Sequence, residues 1–169
     1  LRAPKQTSNG FSSVVSSVED ELHWIGSKMF AKLLEIEGWN VHYLGASTPA
    51  KDLAAYSQQH EPDVVVISLT RDVNLRRAKE CLYELQTLTK PPLLLVGGSA
   101  SITGSDKLTG ALIAPDHLSG LILLENHLGL KSNLFSLQEV LTGIGRKIQE
   151  KRKTLGINQS ELAKMAAAT

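Results

Sequence analysis

The run Val64-Val65-Val66-Ile67 is apolar at four consecutive positions. A strand with one face in water alternates apolar and polar residues, whereas a strand apolar on both sides is covered on both. The stretch 63–69 therefore predicts a central parallel strand. A second unbroken run, Leu93-Leu94-Leu95-Val96 within 92–96, repeats the signal. Parallel neighbours need crossover connections, and the residues between the apolar runs have helical periodicity. Met29, Phe30, Leu33, Leu34 and Glu37 fall on one face of a helix over 27–37, stopped by Gly38. Further helices are expected at 49–60, 72–89 and 118–128, with a short one over 101–108. Thr48 is the expected N-cap of the second, with Pro49 as its first residue. Strands at 11–18, 40–44 and 111–114 complete the pattern. Strand alternating with helix five times predicts an α/β fold, a doubly wound five-stranded parallel sheet.

Such sheets take ligands at the carboxyl ends of their strands. Four loops fall there: Glu21–Gly26, Gly45–Thr48, Ser68–Thr70 and Gly97–Ser99. The first holds Glu21-Leu22-His23-Trp24-Ile25-Gly26. A carboxylate two residues before a histidine can take the proton of one ring nitrogen and leave the other as a metal ligand. A solvated loop histidine beside a turn glycine is the plainer alternative for that motif alone.

The remaining chemistry-bearing residues read as structural. Cys81 shares a helical pattern with Ala78, Leu82 and Leu85, so it is expected as a core thiol. One cysteine excludes an internal disulfide and suits a reducing cytoplasm. His42 is expected on a strand face, His60 at a helix end, and His117 and His127 at the ends of the last body helix. His117 lies nearest the ligand edge. No apolar run has the roughly 20 residues of a spanning helix, so no membrane partner is expected. The first residue is Leu1, which points to a fragment or a processed chain.

Charge divides the chain. Residues 1–130 hold 11 Lys/Arg and 14 Asp/Glu, whereas 131–169 hold 7 and 3. The expected domains are 1–130 and a basic helical appendage, 131–169. In the appendage, 136–155 reads as a helix stopped by Gly156, and Asn158 caps a second helix from Gln159. A basic tail points to DNA, to an acidic partner, or to pairing with another subunit.

The body resembles a cobalamin-binding domain of the flavodoxin-like kind over residues 10–128. That family carries D-x-H-x-x-G, then S-x-L, then G-G. This sequence has Glu21-x-His23-x-x-Gly26, Ser68-Leu69-Thr70 and Gly97-Gly98. The stretch Gly38–Gly45 with Thr48-Pro49, and Pro62-Asp63, are similar to the family as well. Two departures stand out. Glu21 replaces the usual Asp, and Ser68 is followed directly by Leu69, with Thr70 in third place; Ser68 rather than Thr70 is carried over.

The resemblance implies that cobalamin is the cofactor and that His23 is the lower axial ligand of cobalt. Glu21 then acts as its hydrogen-bond acceptor. Gly26, Ser68, Gly97 and Gly98 make room for or bond the nucleotide tail. Trp24 has two open readings: a rim aromatic packed on the first helix, or an apolar contact under the corrin.

The tail, from Gly143 to Ala163, resembles the first two helices of a phage-repressor-type helix-turn-helix that ends before a recognition helix. Together the two resemblances imply a cobalamin-binding sensor of a transcriptional regulator, with a light response as one expected output. The family's light sensors carry a helical bundle ahead of this domain, where this chain has about ten residues. The alternatives are a corrinoid methyl-transfer shuttle, a mutase small subunit, and a haem-sensing or ligand-free interaction module. No catalytic acid–base set is evident, so the chain itself is expected not to be an enzyme.

Overall fold

A computed structural model describes residues 8–130, 146 and 149–161. The chain divides into two units, 1–130 and 131–169. The first unit carries β1 (Ser12–Val18), α1 (Ile25–Ile36), β2 (Asn40–Thr48), α2 (Ala50–His60), β3 (Val64–Ser68), α3 (Leu75–Gln86), β4 (Leu93–Gly97), α4 (Ser99–Thr103), β5 (Leu112–Ala114) and α5 (His117–Leu128). The strands form one parallel sheet in the order β2-β1-β3-β4-β5. That order is the flavodoxin-like one, with its switch point between β1 and β3.

The unbroken apolar runs lie where full coverage requires them. Val65, Ile67, Leu94 and Val96 face a core shared with Leu53 of α2 and Cys81, Leu82 and Leu85 of α3. The alternate residues Val64, Val66 and Leu95 are equally buried on the face covered by α1 and α5. Each such side chain contributes about 1.5–3 kcal/mol when removed from water. Cys81 is fully buried, and burial pushes its thiol up to about 12, so it is an inert packing residue.

Several boundaries differ from the sequence expectation. β2 runs on to Thr48 rather than stopping at Leu44, through irregular pairing with β1. Thr48 does not cap α2, because its hydroxyl accepts from Ser16 Oγ at 2.6 Å. Pro49 takes the N-cap position instead, in an extended conformation. α1 starts at Ile25 and not Ser27, with Trp24 as N-cap. The 72–89 helix is a 3-10 turn, Asp72–Asn74, followed by a shorter α3, and α4 begins two residues before the expected 101.

In the second unit most of the expected 136–155 helix, and the second helix beyond Glu161, lie outside the described residues. Residues 149–154 are helical, and Gly156 (φ +68°) follows. Asn158 Oδ1 accepts from Glu161 N at 2.9 Å, and Glu161 Oε2 accepts from Asn158 N at 2.6 Å. The two bonds form a reciprocal capping box at the start of the second helix.

Candidate functional site

The loop after β1 is built around a turn. Glu21 N–H donates to Val18 O, and Asp20 sits at φ +65°, a left-handed conformation that Asp tolerates better than most residues. The neighbouring β2 end pins this turn: Ser47 Oγ accepts from Asp20 N, and Ser47 N donates to Glu21 O. The turn sends the Glu21 side chain inward, where it is fully buried.

A buried carboxylate needs donors, and Glu21 has five. Its Oε1 accepts from His23 N at 3.2 Å and meets His23 Nδ1 at 2.5 Å. Its Oε2 accepts from Thr70 N at 3.1 Å, Arg71 N at 3.0 Å and Asn74 Nδ2 at 3.2 Å. Burial pushes this carboxyl up, but the bonds from His23, Arg71 and Asn74 outweigh it and hold it below the usual glutamate range. Glu21 is therefore ionised and only accepts. The proton must sit on His23 Nδ1, which leaves Nε2 with a free lone pair. The His23 side chain is 60% exposed, and its Nε2 has no partner among the described residues.

Below this histidine opens a cleft of about 560 Å³ along the α1/α5 face of the sheet. Its walls include Trp24, Ser27 and Phe30 from the α1 side and Asp116 and His117 from the α5 side. Its floor includes Val66, Ser68, Leu95 and Gly97. The Ser68 hydroxyl has no hydrogen-bond partner among the described residues. Trp24 is half exposed at the rim, and its carbonyl accepts from Ser27 Oγ and Tyr43 OH.

The three expected glycines play different parts. A Cβ at Gly26 would meet only His117 Nε2 at 3.8 Å, and one at Gly97 only Ala114 O at 3.8 Å. Both positions border open cleft. Gly98 is a glycine of the fold. Its φ is +104°, and a Cβ there would lie 2.4 Å from Leu69 O.

Glu21, His23, Trp24, Gly26, Ser68, Gly97 and Gly98 are thus gathered at one end of the sheet, Gly98 as backbone support. Thr70, set aside on motif grounds, takes part through its N–H. The Arg71 N–H and the Asn74 side chain were missed, and His117 was expected only near the ligand edge. Asn74 falls inside the helix expected over 72–89; in the structure it is the N-cap residue of α3, and its side chain makes no cap hydrogen bond. His117 bridges the cleft mouth, its Nε2 3.0 Å from Gly26 O and its ring stacked on Phe30 at 5.9 Å. Among the described residues, no group of three or more His, Cys, Asp or Glu side chains could hold a metal by itself. A metal at His23 would have to bring most of its own ligands.

Solved structures share this architecture. A cobalamin-binding protein from Desulfitobacterium hafniense DCB-2 superposes with a TM-score of 0.64 at 21% identity, over 69% of this chain and 58% of that one. A chain of the methanol:cobalamin methyltransferase complex from Methanosarcina barkeri gives 0.67 at 18%, over 81% and 54%. The monomethylamine corrinoid protein of Methanosarcina barkeri gives 0.60 at 17%, over 68% and 57%. The chain spans little more than half the length of these structures, and at such identities they establish the fold. No curated protein matches the chain. The family model for the B12 binding domain matches residues 12–113, which is more than half of the sequence. The chain therefore belongs to the B12 binding domain family, and its cofactor is cobalamin.

Proposed function

We propose that this chain is a corrinoid carrier that holds cobalamin by a histidine and presents it to a separate methyltransferase. The observation that carries the reading is the Glu21–His23 pair: an exposed imidazole, its tautomer set by a buried carboxylate, at the lip of a cleft. The residues present fit the cofactor. His23 Nε2 is a free imidazole nitrogen of the kind cobalt accepts. Gly26 and Gly97 leave the cleft walls bare where a nucleotide tail would pass, and Ser68 offers it an unused hydroxyl. Trp24 supplies an apolar rim beside the ligand. Bound cobalamin would supply a cobalt centre that carries an alkyl group.

The chain's own residues position and hold. Glu21 keeps the proton on Nδ1 and orients the ring, and Thr70, Arg71 and Asn74 keep Glu21 in place. The likeness to a chain of a methanol:cobalamin methyltransferase complex and to a monomethylamine corrinoid protein supports the carrier over the regulator. Chemistry then lies with the cofactor and the partner.

Purified full chain mixed with hydroxocobalamin should stay red through desalting and give a histidine-ligated absorption spectrum. His23→Gln should lose that spectrum while remaining folded. Colourless wild-type protein would overturn the reading.

A second reading, a cobalamin-responsive regulator with DNA as partner, draws on the basic tail and the capping box at Asn158. A salt-dependent shift of duplex DNA by the full chain, lost on removal of residues 131–169, would favour it.

A further inference from the structure

A cluster of two imidazoles and a phenol lies at the other end of the sheet, on its opposite face. His42 projects from the edge strand β2, and Tyr56 and His60 stand one turn apart on α2. His42 Nδ1 lies 2.8 Å from Tyr56 OH. The His60 ring stacks on Tyr56 with centroids 4.2 Å apart and an interplanar angle of 29°. It meets the His42 ring edge-on, at 5.2 Å and 67°. Neither histidine pairs with a carboxylate among the described residues.

We propose that His42 and His60 bind a divalent transition-metal ion such as zinc, with Tyr56 as the positioning residue. The spacing suits the ligand. A metal–nitrogen bond of about 2.1 Å puts the ion roughly 3.2 Å from each ring centre, and a tetrahedral angle then separates the two rings by roughly 5.3 Å. The observed separation is 5.2 Å. Ligation through His42 Nε2 requires the proton on Nδ1, and the Tyr56 oxygen stands ready to accept it. His60 is exposed at the last position of α2, so its ring can turn toward the ion without unpacking the core. Two imidazoles favour zinc, nickel or copper over magnesium and calcium. No third His, Cys, Asp or Glu joins them among the described residues, so water completes the shell and the ion exchanges freely. The ion would tie the edge strand to α2, and binding to the folded state alone raises stability.

The test uses untagged, EDTA-treated full chain carrying His23→Gln, which removes the exposed imidazole beside the cleft; His117 and His127 stay exposed in every variant and set a common background. Zinc chloride is titrated against a chromophoric chelator, and thermal melts are run with zinc and with magnesium. Zinc should bind with one-to-one stoichiometry and raise Tm, and magnesium should do neither. His60→Gln should weaken zinc about tenfold or more and abolish the Tm rise, and Tyr56→Phe should weaken it less. His60 is exposed, so its variant tests the site without threatening the fold. Wild-type zinc affinity in His60→Gln would overturn the proposal, as would the absence of a zinc-dependent Tm shift in the parent.

Discussion

Two buried glutamates stand at opposite ends of the same sheet. Glu21 lies at the carboxyl end, is fully buried, and accepts five hydrogen bonds. Glu37 follows α1 at the amino end, is 8% exposed, and has an Oε1 with no partner. One carboxyl is held below the usual range by its donors, and the other is raised by burial and by the charge of Glu125. The donors around Glu21 come from two stretches of chain, its own loop at His23 and the 70–74 segment after β3. The unsatisfied groups gather elsewhere: Glu37 Oε1, Trp39 Nε1, Ser13 Oγ and Ser57 Oγ. Among the described residues, the buried side-chain atoms without a partner do not include those of Glu21.

The most forceful way to break that contrast is to remove Glu21. Glu21→Ala leaves Thr70 N–H, Arg71 N–H and the Asn74 amide without their acceptor in a buried place. Each orphaned donor costs about 1–3 kcal/mol, so a loss of about 3–5 kcal/mol is expected in urea unfolding. His23→Gln should cost less, about 1–2 kcal/mol, because it disturbs one of the five donors to Glu21 and leaves the other four in place. If Glu21→Ala were no less stable than His23→Gln, the hydrogen bonds around Glu21 would not be holding the loop.

Two adjacent glycines give the next test, of cofactor end against fold. Gly98→Ala should destabilise the apoprotein by about 2–4 kcal/mol, since it forces a left-handed φ and a clash with Leu69 O. Gly97→Ala should leave apoprotein stability within about 0.5 kcal/mol and instead weaken cobalamin retention, because its methyl meets only cleft. Chemical denaturation and cofactor titration of the pair separate the two roles. Equal stability losses would cancel the distinction.

How much of this was legible depends on the range of the interaction. The central strands announce themselves locally, through Val64–Ile67 and Leu93–Val96, and so does the Glu21-x-His23-x-x-Gly26 spacing. Asn74 does not, because its partner Glu21 is 53 residues away. Read locally, Asn74 falls inside the helix expected over 72–89; in the fold its side chain is spent on Glu21. His117 is legible in its place near the ligand edge but not in its contact, since the carbonyl it meets is 91 residues distant. Thr48 before Pro49 reads as a cap until Ser16, on the neighbouring strand, takes its hydroxyl. Gly98 was expected to make room for a ligand, and only the path of Leu69 beside it reveals a backbone requirement.

The smallest effect concerns Glu37, and its sign is opposite to that of Glu21. A carboxyl raised in the folded state binds its proton more tightly than in the unfolded chain. Its stabilising contribution is complete below the ordinary glutamate range and is lost as pH rises through the raised value. Above that raised value the folded domain carries a buried charge beside Glu125 with one oxygen unpartnered. Glu37→Gln removes the charge and keeps the shape, so it should stabilise the domain by about 1 kcal/mol at pH 7. The gain should shrink as pH falls toward the ordinary glutamate range, where the wild-type side chain is protonated in the fold. Urea unfolding of both proteins at pH 7 and pH 4 reads the difference. A variant less stable than wild type at pH 7 would mean that the Glu37 charge is held by the fold after all, and the two ends of the sheet would then differ in ligand chemistry alone.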